Sequence, residues 1–355
     1  MAWRDRRILD LFGIETPILQ APMAGTQASA MAIAVSSAGG LGGLPTAVFS
    51  PAQVEAEIRA IRAATDKPFN LNFFCHTPPH ADSAANARWI AALKPAYDAL
   101  GIAPPTEAGG PGRAPFDEVL CRIVEAHKPP VVSFHFGLPE EALLRRVRAT
   151  GAKIISSATT VAEAQWLEAR GVDAIIAQGA EAGGHRGIFL SNDVAMQPGT
   201  FALVPQVVDA VKVPVIAAGG VADARGVAAA LMLGASAVQP GTIYLFSPES
   251  TIPPLYRAAL ARTHEDQTVL TNAFTGRPAR AIVNRFVREI GPISPAAPAF
   301  PLAAAAVASL RAASEKHGTA DYMQMWSGQT ARLGRALPAA EITRSLTRET
   351  LALLG

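Results

Sequence analysis

The chain has 355 residues, of which 50% are hydrophobic and 17% charged, with a formal net charge of +2. That length accommodates one α/β barrel of roughly 200–250 residues with additions, and the near-neutral balance excludes the basic surplus that nucleic-acid binding draws on. No stretch reaches the ~18 apolar residues of a membrane span, and Cys75 and Cys121 form neither a CxxC nor a Cys/His cluster, so neither a disulfide framework nor a metal site is expected. The basic N-terminus lacks an apolar signal core, and a cytoplasmic protein with a small-molecule partner is expected, its oligomeric state unspecified.

In chain order, Ile18–Gln20 reads as a short strand ended by APMAG, followed by helix over Ser29–Ser37 and a stop at Gly39-Gly40. Leu41–Pro45 is a second strand, and Ser50-Pro51 then opens a helix with an N-cap and proline at the first helical position. Phe69–Phe74 is a third strand. Helix over Ala84–Leu100 and a Gly/Pro-rich loop over 101–115 follow it. Phe116–His127 reads as helix and Pro130–Phe136 as strand four, with Pro139 opening the next helix. Strands five to eight are expected at Lys153–Ser157, Asp173–Ala177, Val213–Ala218 and Ala237–Gln239, with helices at Val161–Arg170 and Ala222–Leu233. Strands alternating with amphipathic helices at this spacing predict a closed (β/α)8 TIM barrel over residues 1–250. Residues 251–355 read as an appended, mostly helical segment packing on the barrel. Helix is expected at Pro253–Ala261 and Leu302–Ala313, with mixed structure over Arg277–Ile290 and a proline-rich stretch between. Periodicity does not decide whether this segment covers the barrel mouth or buttresses its outside.

Barrel active sites form at the C-terminal ends of the strands, and six of these ends carry unusual residues: Gln20–Gly25, Asn72, His135, Gln178–His185, Gly219-Gly220 and Gln239–Thr242. Gly183 and Gly184 let backbone approach a flat ligand, and His185 is the side chain there that titrates near neutrality. The AAGG and QPGT ends of strands seven and eight predict a phosphate held by backbone N–H groups, with Thr242 adding a hydroxyl. No GxGxxG opens a helix after a strand and no GxxxxGK[ST] occurs, so one phosphate fits better than two. Alternation places Ser133 and His135 on one face of their strand, with Phe134 and Phe136 packing under the helices. Arg186 reads as a solvated surface residue ahead of a group attracting an anionic substrate, and Cys75 and His76 receive no catalytic role.

QAPMAG, PFNLNFF, FHFG, AQGAEAGGHRG, AAGGVAD and QPGT together resemble the nitronate monooxygenases, formerly called 2-nitropropane dioxygenases, with WSGQ at 326–329 continuing the likeness. The resemblance implies FMN at the mouth of a TIM barrel, with Pro22 and Met23 beside the flavin ring and Asn72 and Gln178 in polar contact with it. Gly183, Gly220, Gln239, Gly241 and Thr242 are expected around the ribityl phosphate tail, with Ala24, Gly184 and Gly219 completing the cofactor contacts. It also implies His185 as the group acting on substrate, with His135 lining the pocket and Tyr322 of the appended segment placed over it. The expected reaction takes an alkyl nitronate, or a nitroalkane, and O2 to a carbonyl compound and nitrite. A neutral imidazole suits removal of an acidic Cα proton, and an electrostatic anchor suits a preformed nitronate; both roles remain open for His185. The competing readings are an FMN-dependent NAD(P)H:quinone or enoyl-acyl-carrier-protein reductase and a non-catalytic flavin-binding barrel.

Overall fold

The computed structural model describes residues 3–80, 82–105 and 113–355; the middle of the Gly/Pro-rich loop lies outside them. Seven parallel strands lie in the order β1 (Gly42–Pro45), β2 (Phe69–Phe74), β3 (Val131–His135), β4 (Lys153–Ala158), β5 (Ala174–Gln178), β7 (Val215–Ala218) and β8 (Ala237–Val238). The expected first strand closes the ring. Ile18 bridges Val238 and Leu19 bridges Leu41, both in parallel, with Leu19 N–H donating to Val238 O and Gln20 N–H to Leu41 O, each at 2.9 Å. The result is an eight-stranded barrel. Its first member is only a pair of bridges because proline at 17 and at 22 brackets it and denies the ladder two donors.

Inside the barrel the strand residues fill the floor. Leu19, Leu41, Val131, Ile155, Ile176 and Ile216 pack together, and the short helix Arg7–Phe12 plugs them from below with Ile8, Leu9 and Phe12. The opposite faces of the strands pack against the outer helices in the largest core, which includes Leu44, Leu71, Phe73, Phe134 and Ile154. Helix starts follow local chemistry. Ser50 and Gln53 form a reciprocal capping box, and Asp117, Thr160 and Asp223 cap their helices through side-chain oxygens. A helix at Thr200–Ala210, absent from the sequence expectations, completes the unit after β5.

Residues beyond β8 are more than helical. β9 (Thr268–Thr271) and β10 (Ala279–Ile282) form an antiparallel pair, and β10 also pairs with β6 (Gly184–His185), with Ala279 opposite His185 and Arg280 opposite Gly184. The appended segment therefore adds its sheet to the Gly-rich turn at the barrel mouth. The final helix, Ala339–Leu353, lies against the helices Ser29–Ser37 and Ala224–Met232 on the outside of the barrel. Among the described residues no helix is long and apolar enough to cross a membrane.

Helix and strand approach closely at Gly42, where an added Cβ would lie 2.6 Å from Ala32 Cα and 2.7 Å from its carbonyl carbon. Neither atom can move without displacing the first barrel helix. Gly42→Ala is expected to cost about 1–3 kcal/mol of stability, read as a lower urea midpoint, whereas Gly226→Ala, inside the helix Ala224–Met232 with no atom nearer than 3.4 Å to its Cβ position, should cost less.

Candidate active site

A cleft enclosing about 1230 Å³, its open mouth included, lies at the C-terminal ends of the strands. Its walls come from every strand end that the sequence singled out. Pro22, Met23, Ala24, Asn72, His135, Gln178, Gly183, Gly184, His185, Gly219, Gly220, Gln239, Gly241 and Thr242 all line it.

The wall after the first strand is fixed by two buried glutamines. Gln20 Nε2 donates to Gln27 Oε1 at 2.6 Å, Gln27 Nε2 donates to Gly43 O at 2.6 Å, and Gly43 N–H returns to Gln20 Oε1 at 3.0 Å. Met23 N–H also donates to Gln27 Oε1, at 3.2 Å, so the Pro22-Met23 turn is tied to the neighbouring strand. Across the barrel, Asn70 and Asn72 both donate to Ser133 Oγ, at 2.8 and 2.9 Å. Alternation on β2 and β3 is what brings these three polar groups onto one interior face.

At the far end, Gly219 and Gly220 have φ of +105° and +72°, a left-handed pair that side chains resist. Glu181 also lines the cleft. Its carboxylate is held by Thr200, accepting from the backbone N–H at 2.8 and 2.9 Å and from Oγ1 at 2.9 Å. Gly241 precedes the short 3-10 helix Thr242–Phe246, and Thr242 Oγ1 accepts from Gly328 N–H at 2.9 Å. Gly183 packs directly on that segment, since a Cβ there would lie 2.5 Å from Gly328 N and 2.7 Å from the Ser327 carbonyl carbon. WSGQ thus acts as a backbone partner of the Gly-rich turn.

His185 is held at both its backbone and its ring. Its carbonyl oxygen accepts from Gln178 Nε2 at 3.0 Å and is 3.2 Å from His135 Nε2, while Gln178 Oε1 accepts from Gly187 N–H at 2.7 Å. His135 Nδ1 lies 3.0 Å from Ser157 Oγ, which occupies the second ring nitrogen of that histidine. The His185 ring lies 5.2 Å from the rings of both Phe300 and Trp326, with Phe74 and Phe136 about 6 Å away at 6.2 and 6.0 Å, and its Nε2 is 2.9 Å from Thr275 Oγ1. Burial, with the positive charge of Arg113 next in weight, holds the His185 imidazolium well below the usual histidine range. Burial likewise lowers His135 to about 3 and His76 to about 4, with Arg277 adding repulsion in both. All three rings are therefore neutral at neutral pH.

Arg186, Phe136 and Tyr322 stand elsewhere than the sequence pattern places them. Arg186 is fully buried: its guanidinium donates to Gly179 O at 2.5 Å, Gln178 O at 2.7 Å and Gln197 Oε1 at 2.6 Å. Phe136 does not pack under the helices, because its backbone turns left-handed at φ +71° and ends the alternation. Its ring sits 4.4 Å from that of His135, beneath the Arg277 guanidinium at 3.9 Å. Tyr322 is not at the cleft; it is buried among Trp89, Phe274 and Phe286 with its hydroxyl 3.3 Å from Glu289 Oε2. Its neighbour Trp326 faces His185 instead, because the segment between them is not helical and Trp326 bridges Ala281 of β10. Phe300, Thr275, Tyr256 and Arg277 also reach the cleft or its histidine. They carry no local motif, and only long-range packing brings them there.

Fold and site together define a TIM-barrel enzyme with its chemistry at the strand C-termini. The chain matches the nitronate monooxygenase family profile over residues 5–349 and belongs to that family. It is 42% identical to a nitronate monooxygenase of Paraburkholderia phytofirmans, over 97% of this chain and 94% of that one. It is also 42% identical to one of Pseudomonas aeruginosa, over 97% and 98%. Among solved structures, nitroalkane oxidase from Streptomyces ansochromogenes superposes with a TM-score of 0.88 at 38% identity, covering 98% of this chain and 100% of that one. FabK from Thermotoga maritima superposes with a lower TM-score of 0.72 at 29% identity, over 98% and 96%.

The neutral histidines have a consequence for stability. An unfolded chain protonates histidine near pH 6.5, whereas folded His76 and His135 resist protonation until about pH 4 and 3, so their contribution is complete above about pH 6.5 and drains as pH falls through those values. The urea midpoint is expected to decline on acidification below about pH 6.5. His76→Phe should make that decline shallower; an unchanged slope means that His76 protonates freely in the folded protein.

Proposed function

We propose that the protein oxidises alkyl nitronates with O2 to carbonyl compounds and nitrite, using FMN bound without a covalent link in the cleft, and that His185 removes the Cα proton when the substrate arrives as a neutral nitroalkane. The observation that carries this reading is His185 itself. It is a neutral imidazole on the wall of the cleft at the strand C-termini, with one ring nitrogen bonded to Thr275 and the other without a protein partner among the described residues.

The residues present suit FMN. Pro22, Met23 and Ala218 offer apolar surface for a flat ring system, and Asn72 and Gln178 stand at the cleft with polar groups for its edge. The left-handed Gly219-Gly220 pair and the N-terminus at Gly241-Thr242 offer backbone N–H groups suited to a single phosphate. Glu181, the acid nearest this end, has its carboxylate drawn onto the Thr200 backbone and hydroxyl. FMN, when bound, supplies the electron acceptor for the nitronate.

The protein's own part is proton transfer and electrostatics. Arg113 and Arg277, which disfavour an imidazolium at His185, favour a nitronate anion beside it for the same Coulombic reason. Proton transfer from a neutral nitroalkane to His185 converts two neutral groups into an ion pair, so each product charge is stabilised by the other. Phe74, Phe136, Phe300 and Trp326 surround the ring with apolar surface, which keeps water from screening that pair.

His185→Asn is expected to lower turnover of a neutral nitroalkane by about two to four powers of ten, while turnover of the preformed nitronate falls less. Equal losses on both substrates make His185 an anchor rather than a base. Gly220→Leu should purify without flavin absorbance, because the new side chain strains a left-handed backbone and fills the phosphate end; full occupancy overturns that placement. Bleaching by NADH, with no consumption of alkyl nitronate in air, overturns the reaction in favour of a reductase.

A further inference from the structure

We infer that Thr275 is the positioning residue that decides which nitrogen of His185 is the base, holding Nε2 protonated so that Nδ1 carries the free lone pair. This rests on the reading of His185 as a proton acceptor. Imidazole in its neutral form has one donor and one acceptor nitrogen, and the tautomer is set by what the non-reacting nitrogen bonds.

Thr275 is fully buried in the turn between β9 and β10. The pairing of Ala279 with His185 brings that turn beside the ring. The next residue, Gly276, has φ +87°, and a Cβ on it would meet Phe300 N at 2.9 Å, so the turn is wedged against the Pro298–Phe300 backbone and cannot retreat from the histidine. Thr275 Oγ1 lies 2.9 Å from His185 Nε2 and donates to Arg277 O at 3.4 Å. A hydroxyl has one proton. The arrangement that satisfies both contacts runs from Nε2–H to Oγ1 and from Oγ1–H to the Arg277 carbonyl. Nδ1 is then unprotonated, and among the described residues the ring's hydrogen bond is made at Nε2 and not at Nδ1. The reverse tautomer presents the Nδ1–H and turns its lone pair, on Nε2, toward Thr275.

The same bond assists the reaction. Once Nδ1 is protonated, Nε2–H becomes a charged donor and its bond to Thr275 strengthens. The half-buried ring has this one side-chain acceptor to offset the repulsion of Arg113 and Arg277. A residue of the appended segment, 90 positions away, thereby tunes the basicity of the histidine in the Gly-rich turn.

The test is nitrogen NMR of the FMN-loaded enzyme labelled with ¹⁵N-histidine, with the His185 signals identified by their loss in His185→Asn. The expected spectrum has the proton on Nε2. Thr275→Val, close in shape but without the acceptor, should give a mixture of tautomers and slow neutral nitroalkane turnover on the order of tenfold, while preformed nitronate turnover stays within about twofold. Thr275→Ser should restore both spectrum and rate. A wild-type proton on Nδ1 overturns the assignment, and so does Thr275→Val with an unchanged tautomer and rate. The wild-type spectrum decides the matter even where the valine variant does not fold. Should His185→Asn lose no activity while the proton is found on Nε2, the base reading fails and with it the catalytic role of Thr275, and only its hold on the tautomer stands.

Discussion

The site depends on a buried charge. Arg186 places its guanidinium under the Gly-rich turn, where it bonds the carbonyl oxygens of Gln178 and Gly179 at the end of β5 and the side chain of Gln197. Burial lowers its pKa to about 10, which still leaves it charged at neutral pH, and Glu181 and Glu163 offset part of the penalty from a distance. An unpartnered buried cation costs several kcal/mol, on the order of 3–5, so each carbonyl must stay where the guanidinium can reach it. That requirement fixes the path of the chain around Arg186, and with it the direction of the residue before it, His185.

Around that fixed point the neighbouring contacts act in the same sense. Glu163 is fully buried and accepts from Thr159 N–H at 2.7 Å, from Phe189 N–H at 2.6 Å and from Leu190 N–H at 3.1 Å, so the chain leaving the turn is tied back to the end of β4. Gln197 joins the two networks, donating to Thr159 Oγ1 and accepting from Arg186 Nε. Gln178 and His135 share the carbonyl of His185. His135 is thus a clamp on the backbone of His185, both its nitrogens being engaged within the protein. Such a network holds geometry well because losing one member leaves buried polar groups unpaired.

The appended segment finishes what the barrel begins. β10 adds itself to the two residues of β6, and the loops around it deliver Thr275, Phe300 and Trp326 to the His185 ring from three separate stretches of chain. The barrel presents a histidine at the rim of an open ring of strands; the segment surrounds it with apolar surface and gives it a hydrogen-bond partner. Electrostatics is set jointly, since Arg277 comes from the segment and Arg113 from the loop before the helix Glu118–His127.

The sequence by itself determined the barrel and the rim. Alternating apolar strands and capped helices set the period, and the strand-end residues from Gln20 to Thr242 line one cleft because strand C-termini in a closed parallel barrel have nowhere else to point. Interior polarity was legible at Asn72 and His135 for the same reason, a two-residue period on a strand of known direction. Left to the tertiary structure were features with no local cause. Arg186 reads as a surface residue until the carbonyls that bury it are in place, and Phe136 follows the strand alternation until a left-handed residue breaks it. Tyr322 and Trp326 look like one helical face in a segment that forms no helix, so which of them meets His185 was decided by the bridge from Trp326 to Ala281. Periodicity reports on neighbours within a turn or a strand; a contact across 90 residues is set by the packing of the whole chain, and only folding brings Thr275 to the histidine.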